Sequence, residues 1–261
     1  MGIIPWIGLH TDKWSNESKH TEKWNNETMD ITKSFENVES LDINNVTGEL
    51  NIVIGEDFIV EAENVTKSFK AEVTSDGTLT ITDNKDGFHF PWFFFGGSDS
   101  PNSKVTLYLP SDFIAEDADI ETGAGNVTIK GLQCEELQLS AGAGNINGKD
   151  ITADNVDIEG GVGHVTMEYV HFTNAVMECG VGNLDISGTL LGKTDIDCGI
   201  GGVELNISGN SADYGFDIES GVGSSRLNGK KLSRDYSSNM GAPNIIEIDG
   251  GVGSVNINME E

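Results

Sequence analysis

The amino-acid sequence predicts an all-β fold: a right-handed parallel β-solenoid, of the single-stranded β-helix kind, with about 19 residues per rung. Three observations predict it. The tripeptide Gly-x-Gly recurs 19 residues apart at Gly123, Gly142, Gly161, Gly180 and Gly199, with two further copies at Gly221 and Gly251 after gaps of 22 and 30. Apolar and polar residues alternate on both sides of it, which is the strand period and not the helix period. The phase of that alternation shifts across the tripeptide, so the chain bends there. Self-similarity at a short fixed period marks an architecture in which each unit buries its apolar side against its neighbours.

Aligned on the glycines, the units read IETGAGNVTI, LSAGAGNING, IEGGVGHVTM, MECGVGNLDI, IDCGIGGVEL, IESGVGSSRL and IDGGVGSVNI. Position 1 is aliphatic throughout (Ile120, Leu139, Ile158, Met177, Ile196, Ile218, Ile248), and position 3 is small. Positions 8 and 10 are mostly aliphatic, as in Val127 and Ile129. In the first repeats positions 13, 15 and 18 are mostly apolar too, as in Leu132, Cys134 and Leu137. Glycine, without a Cβ, accepts the backbone angles of a corner. Each unit is thus a coil of short strands, and successive coils stack at about 4.8 Å, the spacing of paired strands. The right hand follows from the general preference for crossover connections.

Taken from the start, residues 1–30 read as a polar linker or stalk, with an imperfect repeat, TDKWSNES then TEKWNNET, and no core pattern. Residues 31–261 read as one elongated domain. Its first part, 31–118, supplies lead-in strands around Leu41/Ile43, Leu50/Ile52/Ile54, Phe58/Val60/Ala62, Leu79/Ile81 and Val105/Leu107/Leu109, with turns such as Asp76-Gly77. These run into the Gly-x-Gly rungs of 119–261 with no linker, so no boundary is placed there. The long gaps before the last two copies read as loop insertions.

Two excursions are candidate binding sites. Between the strands ending near Ile81 and starting near Val105 lies an aromatic loop, 88–97, with Phe90, Trp92, Phe93, Phe94 and Phe95. Loops are usually polar, so this cluster either caps the solenoid or anchors a protein, glycan or membrane surface. The second excursion gathers Arg226, Lys230, Lys231 and Arg234 in the 30-residue gap. It is either a solvated loop beside an acidic ladder or a binding element.

Composition narrows the partners. With 43 acidic against 15 basic residues the formal charge is −28, which disfavours nucleic acid and anionic lipid and attracts cations. Position 2 is acidic in six of seven copies (Glu121, Glu159, Glu178, Asp197, Glu219, Asp249), a ladder in which each neighbouring pair costs up to ~1 kcal/mol. Such a ladder is read as a solvated face in preference to a calcium site. Cys179 and Cys198 share the small column of adjacent rungs and are expected, like Cys134, to be free buried thiols. No apolar run is long enough to span a membrane.

Several motifs fail on inspection. Gly-x-Gly here lacks the third glycine and the helix of a dinucleotide site. The calcium nonapeptide needs Asp where Val165 and Val255 stand. Asn84, Asp86 and Gly87 follow the phase of a calcium-binding loop without its first Asp and last Glu. No Ser/His/Asp, Cys/His or paired-carboxylate arrangement is evident, so no catalytic residue, metal ligand or cofactor is expected. His164 stands where Asn126, Asn145 and Asn183 stand in other copies, as a corner residue.

The order of FENVESLDINNVTGELNIVIG, GTLTITDN, VTLYLP and then coils of acidic-small-Gly-x-Gly-x-aliphatic resembles the bacterial putative-adhesin β-repeat family, a domain of unknown function common in envelope proteins. It is similar also to the head domains of putative auto-transporter adhesins. The likeness covers roughly 31–261. It implies a non-enzymatic surface binding or scaffold protein of the cell envelope or exterior, meeting a protein or glycan partner. Membrane contact is expected only through an anchor, often present ahead of such domains, or through the aromatic loop. The alternatives are a polysaccharide-acting β-helix enzyme and an envelope-stress regulatory component with a membrane partner.

Overall fold

The computed structural model describes residues 28–83 and 103–260; the linker reading of the first residues and the aromatic loop 88–97 fall outside the described residues. Apart from one short 3-10 turn, Ser211–Asp213, the elements are strands, and all of them join a single hydrogen-bonded sheet. Repeats pair in parallel with partners 19 residues apart: Leu139 faces Ile120 on one side and Ile158 on the other, and Met177 stands between Ile158 and Ile196. This is a solenoid-like stack, and the position-1 column lies in its core, with Leu139, Ile158 and Met177 all buried.

The rest of the core follows from the same alternation. Val127, Ile146, Val165, Leu184 and Val203 form a second buried column, and Leu132, Ile151 and Val170 begin a third run with Phe172 completely enclosed. The small column also faces inward: Thr122, Ala141, Gly160, Cys179 and Cys198 succeed one another there, all buried except the half-buried Gly160. All three cysteines are free and buried. Burial pushes the Cys134 and Cys198 thiols up to about 12, so they are inert packing groups at neutral pH.

Backbone contact explains the second glycine of each tripeptide. Gly125, Gly144, Gly163, Gly182 and Gly201 have φ between +135° and +153°, and a Cβ on any of the last four would drive into the carbonyl oxygen of the glycine one rung before. Both the left-handed angle and the close approach require the missing side chain.

The stack departs from chain order at its end. The strand Leu184–Ile200 does not pair onward with the sixth copy, in Tyr214–Leu227. It pairs with the last strand, Asn244–Glu260, placing Ile248 against Ile196. Tyr214–Leu227 then pairs with the other side of that strand, Ile218 against Ile248. The seventh copy is therefore inserted between the fifth and the sixth. The long gap before it is more than an inserted loop: Lys230–Lys231 and Asp235–Ser238 turn back antiparallel along the outer edge of Tyr214–Leu227, and the chain returns beneath. The position-1 column continues unchanged through the interchange, because that residue is isoleucine in all three copies.

The opening strands are also more than a lead-in. Ser40–Gly55 is itself a rung, pairing Ile43 with Ile120, Gly48 with Gly125 and Ile52 with Ile129. Beyond it, Thr78–Asp83 and Lys104–Pro110 pair in parallel with its two halves. Phe58–Thr66 runs antiparallel to Lys104–Pro110 and Phe69–Val73 antiparallel to Thr78–Asp83, while Thr28–Phe35 pairs antiparallel with Phe58–Thr66, and together they close that end. Ser103, where the described chain resumes after Asp83, sits at the glycine corner of the first rung: its Oγ donates to the Thr47 carbonyl and the Glu49 amide donates to the Ser103 carbonyl at 2.9 Å.

Candidate functional site: the glycine corner and the acidic face beside it

Because Ile120 and its equivalents point inward, the residues on either side of them point outward. Position 2 forms the expected carboxylate column, in spatial order Glu121, Ser140, Glu159, Glu178, Asp197, Asp249 and Glu219. A second column, not singled out in the sequence, runs two residues earlier on the same face through Asp119, Gln138, Asp157, Val176, Asp195, Glu247 and Asp217, five carboxylates interrupted twice. In the last three rungs the two columns coincide without interruption. There Lys193 bridges Asp195 Oδ1 at 3.1 Å and Glu247 Oε2 at 3.0 Å. The paired carboxylates hold the lysine ammonium above its ordinary pKa.

Two shallow grooves lie on this face. One, of about 420 Å³, is lined by Glu159, Glu178 and Asp197 and by the backbone of Gly161, Gly180 and Gly199. The other, of about 400 Å³, opens among the carboxylates of the last three rungs. Among the described residues no group of three or more His, Cys, Asp or Glu is arranged to hold a metal ion.

At the corner itself, the middle residue of the tripeptide points to solvent, forming a continuous column of Ala124, Ala143, Val162, Val181, Ile200, Val252 and Val222. On its far side the position-7 residues make a hydrogen-bonded ladder. Asn126 Oδ1 accepts from the Asn145 amide at 3.0 Å, Asn145 Oδ1 from the His164 amide at 3.0 Å, and Asn183 Oδ1 from the Gly202 amide at 2.9 Å. His164 keeps the pattern with Nδ1, which accepts from the Asn183 amide at 3.3 Å, so its ring is a member of the ladder.

The four basic residues lie at the opposite end of the stack from the rung that carries residues 84–102. Arg226 and Lys231 are cross-strand partners in the terminal hairpin. The Arg226 guanidinium donates to Ser224 Oγ at 3.2 Å, and that of Arg234 donates to the Gly221 carbonyl at 2.7 Å. All four side chains are exposed along the last edge of the sheet. Charge on an edge strand discourages further strand addition. The structure therefore does not bring the basic residues and the ends of the aromatic segment into one site. Phe90, Trp92, Phe93, Phe94 and Phe95 fall outside the described residues.

The outward valines and isoleucine were missed as a feature because an x between two glycines reads as a spacer. The signal was present in the letters Ala, Ala, Val, Val, Ile, Val and Val at that position. Among the described residues no helix is long and apolar enough to cross a membrane.

A family model described as Toastrack DUF4097 matches residues 38–247. No curated protein matches the chain. Among solved structures, a putative cell adhesion protein from Clostridium sporogenes is 21% identical, with 90% of this chain and 100% of that chain covered and a TM-score of 0.43. A putative adhesin from Bacteroides fragilis is 15% identical, covering 88% of this chain and 97% of that one, with a TM-score of 0.46. A putative adhesin from Parabacteroides distasonis is 12% identical over 90% and 98%, with a TM-score of 0.36.

Proposed function

The chain belongs to the Toastrack family (DUF4097), and from that premise and its surface we propose that it is a non-enzymatic binding or scaffold protein of the bacterial cell envelope, adhesin-like in role. The observation that carries the reading is the glycine corner. It presents an unbroken column of solvent-facing aliphatic side chains along one edge of a rigid stack, and the aromatic-rich segment 84–102 is inserted at the first turn of that same edge. Exposed apolar surface bordered by polar groups marks an interaction site more often than a catalytic one. The coil is read as right-handed from the general crossover preference. The carboxylates beside the corner succeed one another on neighbouring parallel strands, whereas glycoside hydrolysis uses a pair flanking the scissile bond.

The test uses arrays of bacterial glycans and of envelope proteins. The native chain is compared with a variant whose residues 84–102 are replaced by a short glycine turn joining the adjacent strands. Capture by the native chain and its loss in the variant is the expected outcome. Release of reducing ends or of unsaturated sugars from any arrayed polysaccharide overturns the reading in favour of an enzyme.

A further inference from the structure

The column at the glycine corner has a shape and a charge pattern that specify its occupant. Val162, Val181, Ile200, Val252 and Val222 are consecutive in space, and they are 58, 45, 56, 50 and 67% exposed. Half of the large exposed hydrophobic residues among those described thus fall on this one line. Scattered exposed aliphatics need no explanation, but a contiguous row of them does.

Three residues before each member stands a carboxylate: Glu159, Glu178, Asp197, Asp249 and Glu219. Between the two rows the floor is glycine backbone, which leaves the 420 Å³ groove open along the carboxylate side. The other flank holds the hydrogen-bonded ladder of Asn145, His164 and Asn183. Along Val162, Val181 and Ile200 the row is therefore apolar in the middle, with carboxylates on one side and the Asn and His ladder on the other, while its Val222 end carries the guanidinium groups of Arg234, on the Gly221 carbonyl, and Arg226, on Ser224.

We propose that this row docks a cationic amphipathic α-helix of a partner, laid along the stack with its apolar stripe on the valines and its Lys or Arg side chains over the carboxylates. The proposal rests on the surface-binding reading above and names the chemistry of the partner. The spacing favours a helix. Successive rungs are about 4.8 Å apart, while side chains three or four apart on a helix advance about 4.5–6 Å along its axis. Alternate residues of an extended strand advance about 6.6 Å and lose register with the rungs. Five rungs span about 19 Å, or about 13 residues of helix. Charge selects among occupants of an apolar row: a second copy of this chain brings another −28, and anionic lipid is likewise repelled.

The probe is a fluorescent 14-residue helix of leucine and lysine with a single leucine stripe, titrated with the full chain. Saturable binding at micromolar concentration is expected, with none for the glutamate analogue. The ridge variant Val162→Ser/Val181→Ser/Ile200→Ser should weaken binding at least tenfold with an unchanged melting temperature, since these side chains face solvent. Should the triple variant fold poorly, Ile200→Ser alone is read in the same way, with at least a threefold loss expected. Glu159→Gln/Glu178→Gln/Asp197→Asn should weaken binding and flatten its salt dependence. Equal affinity of the ridge variant, or of a peptide with the same composition in scrambled order, overturns the proposal, since binding would then be charge alone. Self-association that competes with the peptide and disappears in the ridge variant also overturns it, in favour of a second copy. Absence of peptide binding alongside capture that depends on residues 84–102 sinks this inference and leaves the surface-binding reading intact.

Discussion

From the second tripeptide on, a Cβ on either glycine would meet the carbonyl oxygen of a glycine in the neighbouring rung, and Gly123, in the first tripeptide, is the exception. Gly182 combines φ +153° with a neighbouring carbonyl oxygen, from Gly163, in the place a Cβ would take. Gly182→Ala is expected to lower stability by on the order of 3 kcal/mol, measured as the shift in urea midpoint. Gly123, the first glycine of its tripeptide, has nothing within 4 Å of a built Cβ and no left-handed angle, so Gly123→Ala should leave the midpoint nearly unchanged. A second residue-scale effect concerns Asp185, half-buried beside Glu204. Burial, and then the Glu204 charge, raise its pKa, with His164 opposing. The folded chain binds this proton more tightly than the unfolded chain does. Ionisation of Asp185 therefore works against folding at neutral pH, and the penalty fades as pH falls through the raised value toward the ordinary carboxylate range. Asp185→Asn should raise the melting temperature at pH 7, with the gain shrinking to nothing near pH 3.

Strands add what single residues cannot show. Ile248 lies between Ile196 and Ile218, buried, on a strand that reaches its place from the end of the chain. Ile248→Ala should cost about 3 kcal/mol, as for a central core position, whereas a fraying terminal strand would lose far less. Native-state hydrogen exchange should show the amides around Ile248 as slow as those around Ile158. This placement was not legible in the sequence. Leu139, Ile158 and Met177 could be stacked from their spacing alone, because a constant interval permits one register. Ile196, Ile218 and Ile248 are the same residue in near-identical units, so nothing in their chemistry orders them. The rung at Ile43–Ile52 was hidden for another reason: it keeps one glycine, Gly48, and inserted strands separate it from Gly125. The acidic ladder at position 2 was legible, and its companion through Asp157 and Asp195 was not, because the unit was numbered from the residue after it.

At the scale of the whole molecule, charge sets the response to solvent. In the last three rungs carboxylates repeat at rung spacing along two columns, and the formal charge is −28. Added salt screens their repulsion in the folded state more than in an expanded chain. The melting temperature should rise between about 10 mM and 500 mM sodium chloride, where the Debye length falls from about 30 Å to only a few ångströms. Lys193→Ala removes the cation between Asp195 and Glu247 and should steepen that dependence. A flat salt response would mean that the columns are neutralised by protons or bound ions.

The inserted final strand also bears on how the protein is made. Synthesis delivers the first five tripeptide copies in the order in which they stack, so each can settle on its predecessor as it emerges. The sixth copy arrives before the strand that must lie beneath it, at a moment when the exposed edge of Lys193–Ile200 offers it an identical isoleucine to pair with. Completion therefore waits until Asn244–Glu260 has emerged, and until then the sixth copy has only the edge of Lys193–Ile200 to lie against in place of its native partner.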